Sequence, residues 1–148
     1  MSELLSSDLP TASFDVDPAT EPFWSAARDG RLVLPWCDAC DKPFWYPRGF
    51  CPRCAGNELE WRPASGAGQI YSATVVRRAG GAWASHVPFG VAVVQLDEGV
   101  ALTANVVSIA PEDLVPGRRV HARFERGSEG DLPALRFAPV ERTVGPRG

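Results

Sequence analysis

The chain has 148 residues, with 18 acidic against 15 basic side chains, a formal net charge of −3 and a pI near 5.4. That balance argues against nucleic-acid binding by the chain as a whole. A composition 45% hydrophobic and 22% charged is globular, and no apolar run is long enough to span a bilayer.

In chain order, residues 1–13 are polar without periodicity and are expected to be mobile. Residues 17–30 read as a short helix. Asp17 or Thr20 can cap it, Pro18 and Pro22 fall in or before its first turn, and Gly30 supplies a left-handed stop. Phe23 and Ala27 lie one turn apart and face inward with Trp24. The same Phe-Trp pair would serve a partner equally well if exposed.

All four cysteines fall in two C-x2-C pairs, Cys37/Cys40 and Cys51/Cys54. Each pair puts two thiolates on one tight turn. Two such turns complete the tetrahedral sulfur shell of a structural Zn²⁺ site, with iron in a rubredoxin-like site as the alternative. Two disulfides would suit a secreted chain, but Met1-Ser2-Glu3-Leu4 does not begin a leader. A redox C-x-x-C normally stands alone. Reduced cysteines point to the cytoplasm. Four thiolates leave no open coordination position, so the metal is structural. Residues 31–36 and 43–46 are expected to be strands flanking the first knuckle, and 59–61 follow the second. The aromatics Trp36, Phe44, Trp45, Tyr46 and Trp61 exceed the needs of so small a ribbon. Some of them should meet the next domain or another chain.

The small residues 63–68 mark a boundary. Beyond it the pattern becomes all-β, with strands expected at 69–77, 89–96, 101–107, 119–125 and around 135–137. A helical turn at 111–114 separates the third from the fourth. Five strands in this order fit an OB-fold barrel. The chain therefore divides into a tail and helix (1–30), a zinc ribbon (31–63), an OB-fold with a separate core (68–140) and a flexible tail (141–148). The fold class is mainly β.

Acid–base chemistry is sparse. His121 lies on the solvent side of an alternating strand. His86 sits in the loop between the first two barrel strands, a ligand-facing position in OB-folds. No nucleophile elbow or phosphate loop is present. Between Trp61 and Leu96 there is no Asp or Glu, while Arg62, Arg77 and Arg78 are present. This face suits an anionic ligand, because arginine grips phosphate with a rigid fork. Arg77, Arg78, Trp83 and His86 are the candidate ligand residues. Single-stranded nucleic-acid binding, with Tyr71, Trp83 and Phe89 as stacking platforms, is the alternative.

The chain resembles a two-domain family with a rubredoxin-like zinc ribbon followed by an acyl-CoA-associated OB-fold. The likeness rests on Glu21-Pro22-Phe23-Trp24, Arg28-Asp29-Gly30-Arg31-Leu32, the cysteine pairs with Tyr46-Pro47-Arg48 between them, and Glu60-Trp61. It continues through Gly66-x-Gly68-x-Ile70-Tyr71-Ser72 and Val87-Pro88-Phe89 to Val94-x-Leu96-Asp97-Glu98-Gly99. The glycine usual after each knuckle is replaced by Asp41 and by Ala55, which has Gly56 beside it. The resemblance implies an ancillary, non-catalytic subunit of a thiolase-like aldolase or a thiolase, in steroid side-chain or fatty acyl-CoA metabolism. Such a subunit would dock its enzyme partner and share the acyl-CoA substrate, with no nucleic acid or membrane as partner. Trp24, Trp45 and Tyr46 are the candidate interface residues.

Overall fold

A computed structural model describes residues 3–141. One helix, α1 (Glu21–Arg28), precedes a three-stranded antiparallel sheet of β1 (Val33–Cys37), β2 (Lys42–Pro43) and β3 (Leu59–Pro63), in the order β2-β1-β3. Five further strands follow: β4 (Ala67–Val76), β5 (Phe89–Leu96), β6 (Ala101–Val106), β7 (Arg119–Glu125) and β8 (Ala134–Pro139). They close a barrel in the order β4-β5-β6-β8-β7. Only β6 and β8 run parallel; every other pair is antiparallel. A 3-10 turn at Pro111–Asp113 lies between β6 and β7, and a longer one, Gly81–His86, between β4 and β5. Among the described residues no helix is long and apolar enough to cross a membrane. The expected tail falls mostly outside the described residues.

The first barrel strand has to bend. Its register with β5 slips between Ile70 and Ser72, a bulge that leaves Tyr71 exposed. Gly68 is needed there, because a Cβ would come within 2.6 Å of the Gln95 carbonyl oxygen. The turn after β5 is tied back by Arg119, which donates two 2.8 Å hydrogen bonds to the Asp97 carboxylate. That contact holds Asp97 below the usual carboxylate range.

Four expectations are corrected. First, neither Asp17 nor Thr20 caps α1 through its side chain. Thr20 Oγ1 donates to the Asp17 carbonyl, and Ala19 N–H donates to the Asp17 carboxylate. Both groups serve the turn ahead of the helix. Gly30, at φ +74°, does provide the left-handed stop.

Second, the strand expected at 43–46 stops at Pro43. Phe44 is buried and Trp45 turns away from the sheet to pack on Phe23, with ring centroids 5.4 Å apart. Pro47 next in line cannot donate a ladder hydrogen bond.

Third, the barrel core is not separate. Phe23, Leu32 and Leu34 belong to one continuous buried cluster with Ile70, Val94, Leu102, Val106, Val120 and Phe137 of the barrel. A ribbon too small to bury a core of its own borrows one.

Fourth, the N-terminal segment is not loose from Glu3 onward. Leu5 and Leu9 are only 2% and 5% exposed. Leu5 N–H donates to the Ile109 carbonyl at 2.8 Å and Ser6 N–H to the Pro88 carbonyl at 3.1 Å. Farther along, the Ala12 carbonyl accepts from Leu132 N–H at 2.9 Å, and the Pro10 carbonyl accepts from Arg136 Nη2 at 2.9 Å. The segment is a strap laid across the barrel end between the β4–β5 and β7–β8 loops. Leu5 and Leu9 carry the i, i+4 spacing of a packed face, but in an extended strap they dock into two different apolar clusters.

Candidate metal centre and ligand-facing loop

The two knuckles bring Cys37, Cys40, Cys51 and Cys54 together, their sulfurs all within 4.8 Å of one another. Cys37 Sγ lies 3.6 Å from Cys54 Sγ, and Cys40 Sγ lies 3.9 Å from Cys51 Sγ. A Zn–S bond of about 2.3 Å implies a tetrahedral edge of about 3.8 Å, so these sulfurs fit such an ion. Backbone N–H groups of Cys40, Arg53 and Gly56 donate to Cys37, Cys51 and Cys54, each at 3.4 Å. Such donors stabilise thiolate and orient the ligands. Burial alone pushes the Cys51 thiol up. The backbone N–H groups of Cys54 and Arg53 and the Cys37 and Cys54 side chains outweigh burial and bring it to about 6.

Each knuckle needs a left-handed residue after its second cysteine. Asp41 (φ +53°) and Ala55 (φ +62°) supply it. The neighbouring Gly56 does not take that role; the alanine itself adopts the conformation, at a cost of about 1–2 kcal/mol. The Asp41 carboxylate also accepts from Trp36 Nε1 at 3.3 Å.

Arg62 does not join the basic face expected of it. It pairs with Glu60, with Asp38 at 3.6 Å and with Asp41 at 3.7 Å, and its guanidinium lies 4.8 Å from the centre of the Trp36 ring. The Glu60 hydrogen bond, reinforced by the Asp41 and Asp38 charges, raises its pKa further. This arginine braces the ribbon.

Arg77 and Arg78 are exposed at the end of β4, and neither forms an ion pair among the described residues. Trp83 is half-buried on the 3-10 turn, its ring centre 4.9 Å from that of Phe89. It packs with Val76, Ala79, Val87 and Val91 against a second apolar cluster formed by Leu9, Phe89, Val107 and Ala138. His86 ends the same turn, half-buried, whereas His121 is exposed on β7. Among the described residues neither histidine is hydrogen-bonded to a carboxylate or a hydroxyl.

The aromatic candidates form a run that reaches the surface at both ends and passes through the buried Phe23. Phe14, Trp24, Phe23, Trp45 and Tyr46 follow one another edge to face, with centroid separations of 5.4, 4.9, 5.4 and 5.8 Å. Trp24 and Trp45 are half-buried, while Tyr46 is 58% and Phe14 51% exposed; Phe50, outside the run, is 51% exposed. Phe14 and Phe50 were not singled out by the sequence, because neither stands in a motif or a periodic pattern.

A cluster around Arg136 was also missed. The residue is 6% exposed, donates to Asn105 Oδ1 at 3.0 Å and to the Pro10 carbonyl, and lies 3.5 Å from Glu125 Oε2. Burial pulls its pKa down, and Glu125 opposes that. Leu135-Arg136-Phe137 read as an ordinary strand, because the strap that covers Arg136 is remote in sequence.

Residues 24–60 match the family described as ChsH2, rubredoxin-like zinc ribbon domain. Residues 61–125 match ChsH2, C-terminal OB-fold domain. A DUF35 domain-containing scaffold protein of Methanocaldococcus jannaschii is 32% identical over 71% of this chain and 79% of its own length. A probable enoyl-CoA hydratase alpha subunit of Thermomonospora curvata is 38% identical over 78% of this chain but only 37% of its own length. Among solved structures, a chain of the Ltp2-ChsH2(DUF35) aldolase superposes with a TM-score of 0.76 at 30% identity, covering 85% of this chain and 98% of that one. With its four-cysteine ribbon joined to a closed five-stranded barrel, this chain belongs to the DUF35 family of ChsH2-type proteins.

Proposed function

We propose that this chain is an ancillary, non-catalytic subunit of a heteromeric acyl-CoA enzyme, its partner a thiolase-like aldolase or a thiolase in the cytoplasm. Steroid side-chain or fatty acyl-CoA degradation would supply the substrate. The observation that carries the reading is the aromatic run from Phe14 to Tyr46, continuous across helix and ribbon and ending in exposed rings on both sides of the buried Phe23. Likeness to a chain of an aldolase complex and to a hydratase subunit supports the same reading. Cys37, Cys40, Cys51 and Cys54 would hold Zn²⁺, which supplies folding energy and leaves no position open to substrate. Arg77, Arg78, Trp83 and His86 would face the acyl-CoA shared with the partner.

The interface is testable by replacing Trp24, Trp45 and Tyr46 singly with Ala and co-expressing each variant with the neighbouring open reading frames. Interfaces concentrate their energy in a few Trp, Tyr and Arg anchors. Tyr46→Ala, the most exposed of the three, is expected to weaken co-purification about tenfold, equivalent to about 1.4 kcal/mol, with metal content and melt unchanged. If all three variants stay folded and bind as the parent does, the docking surface lies elsewhere. Trp45→Ala is expected to lose stability as well, because its ring packs on Phe23.

A further inference from the structure

Segments far apart in sequence converge on one small hollow beside the strap. Pro10 comes from the strap, Phe14 and Trp24 from the stretch that leads into α1, Trp83 from the β4–β5 turn, Leu132 from the β7–β8 loop and Arg136 from β8. The hollow encloses about 180 Å³. That is less than the about 300–1,000 Å³ of sites for drug-sized ligands, so its occupant must be small. Three of these side chains are aromatic rings, which suits a flat apolar body.

The charged group in the wall is Arg136, and sheet register explains its state. Arg136 pairs with Asn105 of β6 and with Arg123 of β7. Two guanidinium groups therefore face each other across one rung, an arrangement that repels. One carboxylate serves both. Glu125 Oε1 accepts from Arg123 Nη2 at 3.1 Å, while Glu125 Oε2 lies 3.5 Å from Arg136 Nε and leaves that buried nitrogen without a hydrogen-bond acceptor. The terminal nitrogens of Arg136 make one bond each, to Asn105 Oδ1 at 3.0 Å and to the Pro10 carbonyl at 2.9 Å. Each has two hydrogens to give. Asn105 is itself fixed, its amide donating to the Gly90 carbonyl at 3.0 Å. Arg136 is thus a donor-only group, 6% exposed, held in place, with donors to spare and a shared counter-ion. Buried donors ordinarily find an acceptor, and one brought into the hollow would supply it.

A second carboxylate, Asp131, approaches the hollow through Thr11. The Thr11 hydroxyl donates to it at 2.5 Å, and it forms no ion pair with Arg136 among the described residues. The largest concavity, about 640 Å³ between Asp113 and Glu141, offers no comparable wall. Its Arg119 is engaged by Asp97. Its Arg118, whose Nε also lacks an acceptor, is only half-buried and shares the space with two carboxylates.

We propose that the hollow beside the N-terminal strap is a binding site for a small free carboxylate on a flat apolar body, its carboxylate held by Arg136 and its ring by Phe14, Trp24 and Trp83. The planar fork of arginine matches a carboxylate. The site lies within this chain and does not include Arg77 or Arg78, so its test needs neither an acyl-CoA nor an enzyme partner. Benzoate and its neutral near-isostere benzamide are titrated separately into the zinc-loaded full-length protein and followed by indole and amide resonances. Benzoate is expected to saturate at millimolar concentration and to move the indole N–H signals of Trp24 and Trp83, leaving those of Trp36 and Trp61 in place. Benzamide should bind at least tenfold more weakly, because it brings no charge to the guanidinium. Ala12→Phe, which fills the hollow from an exposed position on the strap, should weaken benzoate at least tenfold, and Ala12→Ser should retain it. Arg136 also latches Pro10, so comparing the two ligands on the parent protein tests its role without disturbing the strap. Absence of saturable benzoate binding would overturn the proposal and leave the hollow to ordered water. Equal binding of benzamide, Ala12→Phe binding benzoate as the parent does, or shifts confined to residues 113–119 would overturn it as well.

Discussion

The Cys40→Ser protein is expected to purify without its metal and with an unfolded ribbon. Cys40 and Cys51 sulfurs are 3.9 Å apart at one edge of the four-sulfur cluster, so the substitution removes a ligand that no neighbour can replace. Binding of structural Zn²⁺ is worth about 10–16 kcal/mol in small zinc domains, comparable with the whole stability of an ordinary domain, about 5–15 kcal/mol. The loss should travel. Leu32 and Leu34 of the ribbon and Phe23 of α1 share one buried cluster with the barrel, so an unfolded ribbon uncovers barrel side chains. Elemental analysis should therefore show far less than one zinc per chain, and the barrel should melt at a lower temperature. Stoichiometric zinc in Cys40→Ser would remove the four-thiolate site.

Leu5→Ala should be nearly as damaging, although the residue lies at the start of the chain. Its side chain is 2% exposed, and one methyl stands 3.2 Å from where a Cβ on Gly90 would be. Truncating a buried leucine of this kind costs about 2–5 kcal/mol through lost burial and the cavity left behind. The neighbouring Leu4 is 62% exposed. Leu4→Ala should change stability by no more than about 0.5 kcal/mol, as surface substitutions usually do. Urea unfolding of the two variants side by side distinguishes a packed strap from a loose tail. Equal small effects would mean that the strap contributes nothing to the fold.

The contrast between those two leucines also shows where sequence stops being legible. The alternation of Val120, Ala122 and Phe124 and the apolar run from Phe89 to Leu96 predict β7 and β5 at the bounds the structure has. Spacing alone brings the four cysteines together, because the two turns are local. What the chain does not declare is contact between distant parts. Leu5 and Leu9 sit among serines and prolines, and only the barrel's end surface makes them core residues. Arg62 counts as a free cation until β1 pairs with β3, placing it beside Asp38 and Asp41 and over Trp36. Trp45 reads as a strand residue because it alternates with Phe44 and Tyr46. The pull that turns it aside is Phe23, two elements earlier. The ribbon aromatics read as surplus, and the structure divides them: Phe44 is buried, Trp45 and Trp61 lean on the shared core, and Tyr46 remains at the surface.

The most direct test of the subunit reading is turnover. The zinc-loaded protein alone, and then with the thiolase-like enzyme that co-purifies with it, is assayed for cleavage of 3-hydroxyacyl-CoA and 3-ketoacyl-CoA substrates. The expected result is no turnover by the chain alone, since neither histidine is poised by a carboxylate, and turnover by the pair that exceeds the partner's own rate. Robust cleavage by this chain free of any partner, or a partner whose rate is indifferent to its presence, would contradict the account.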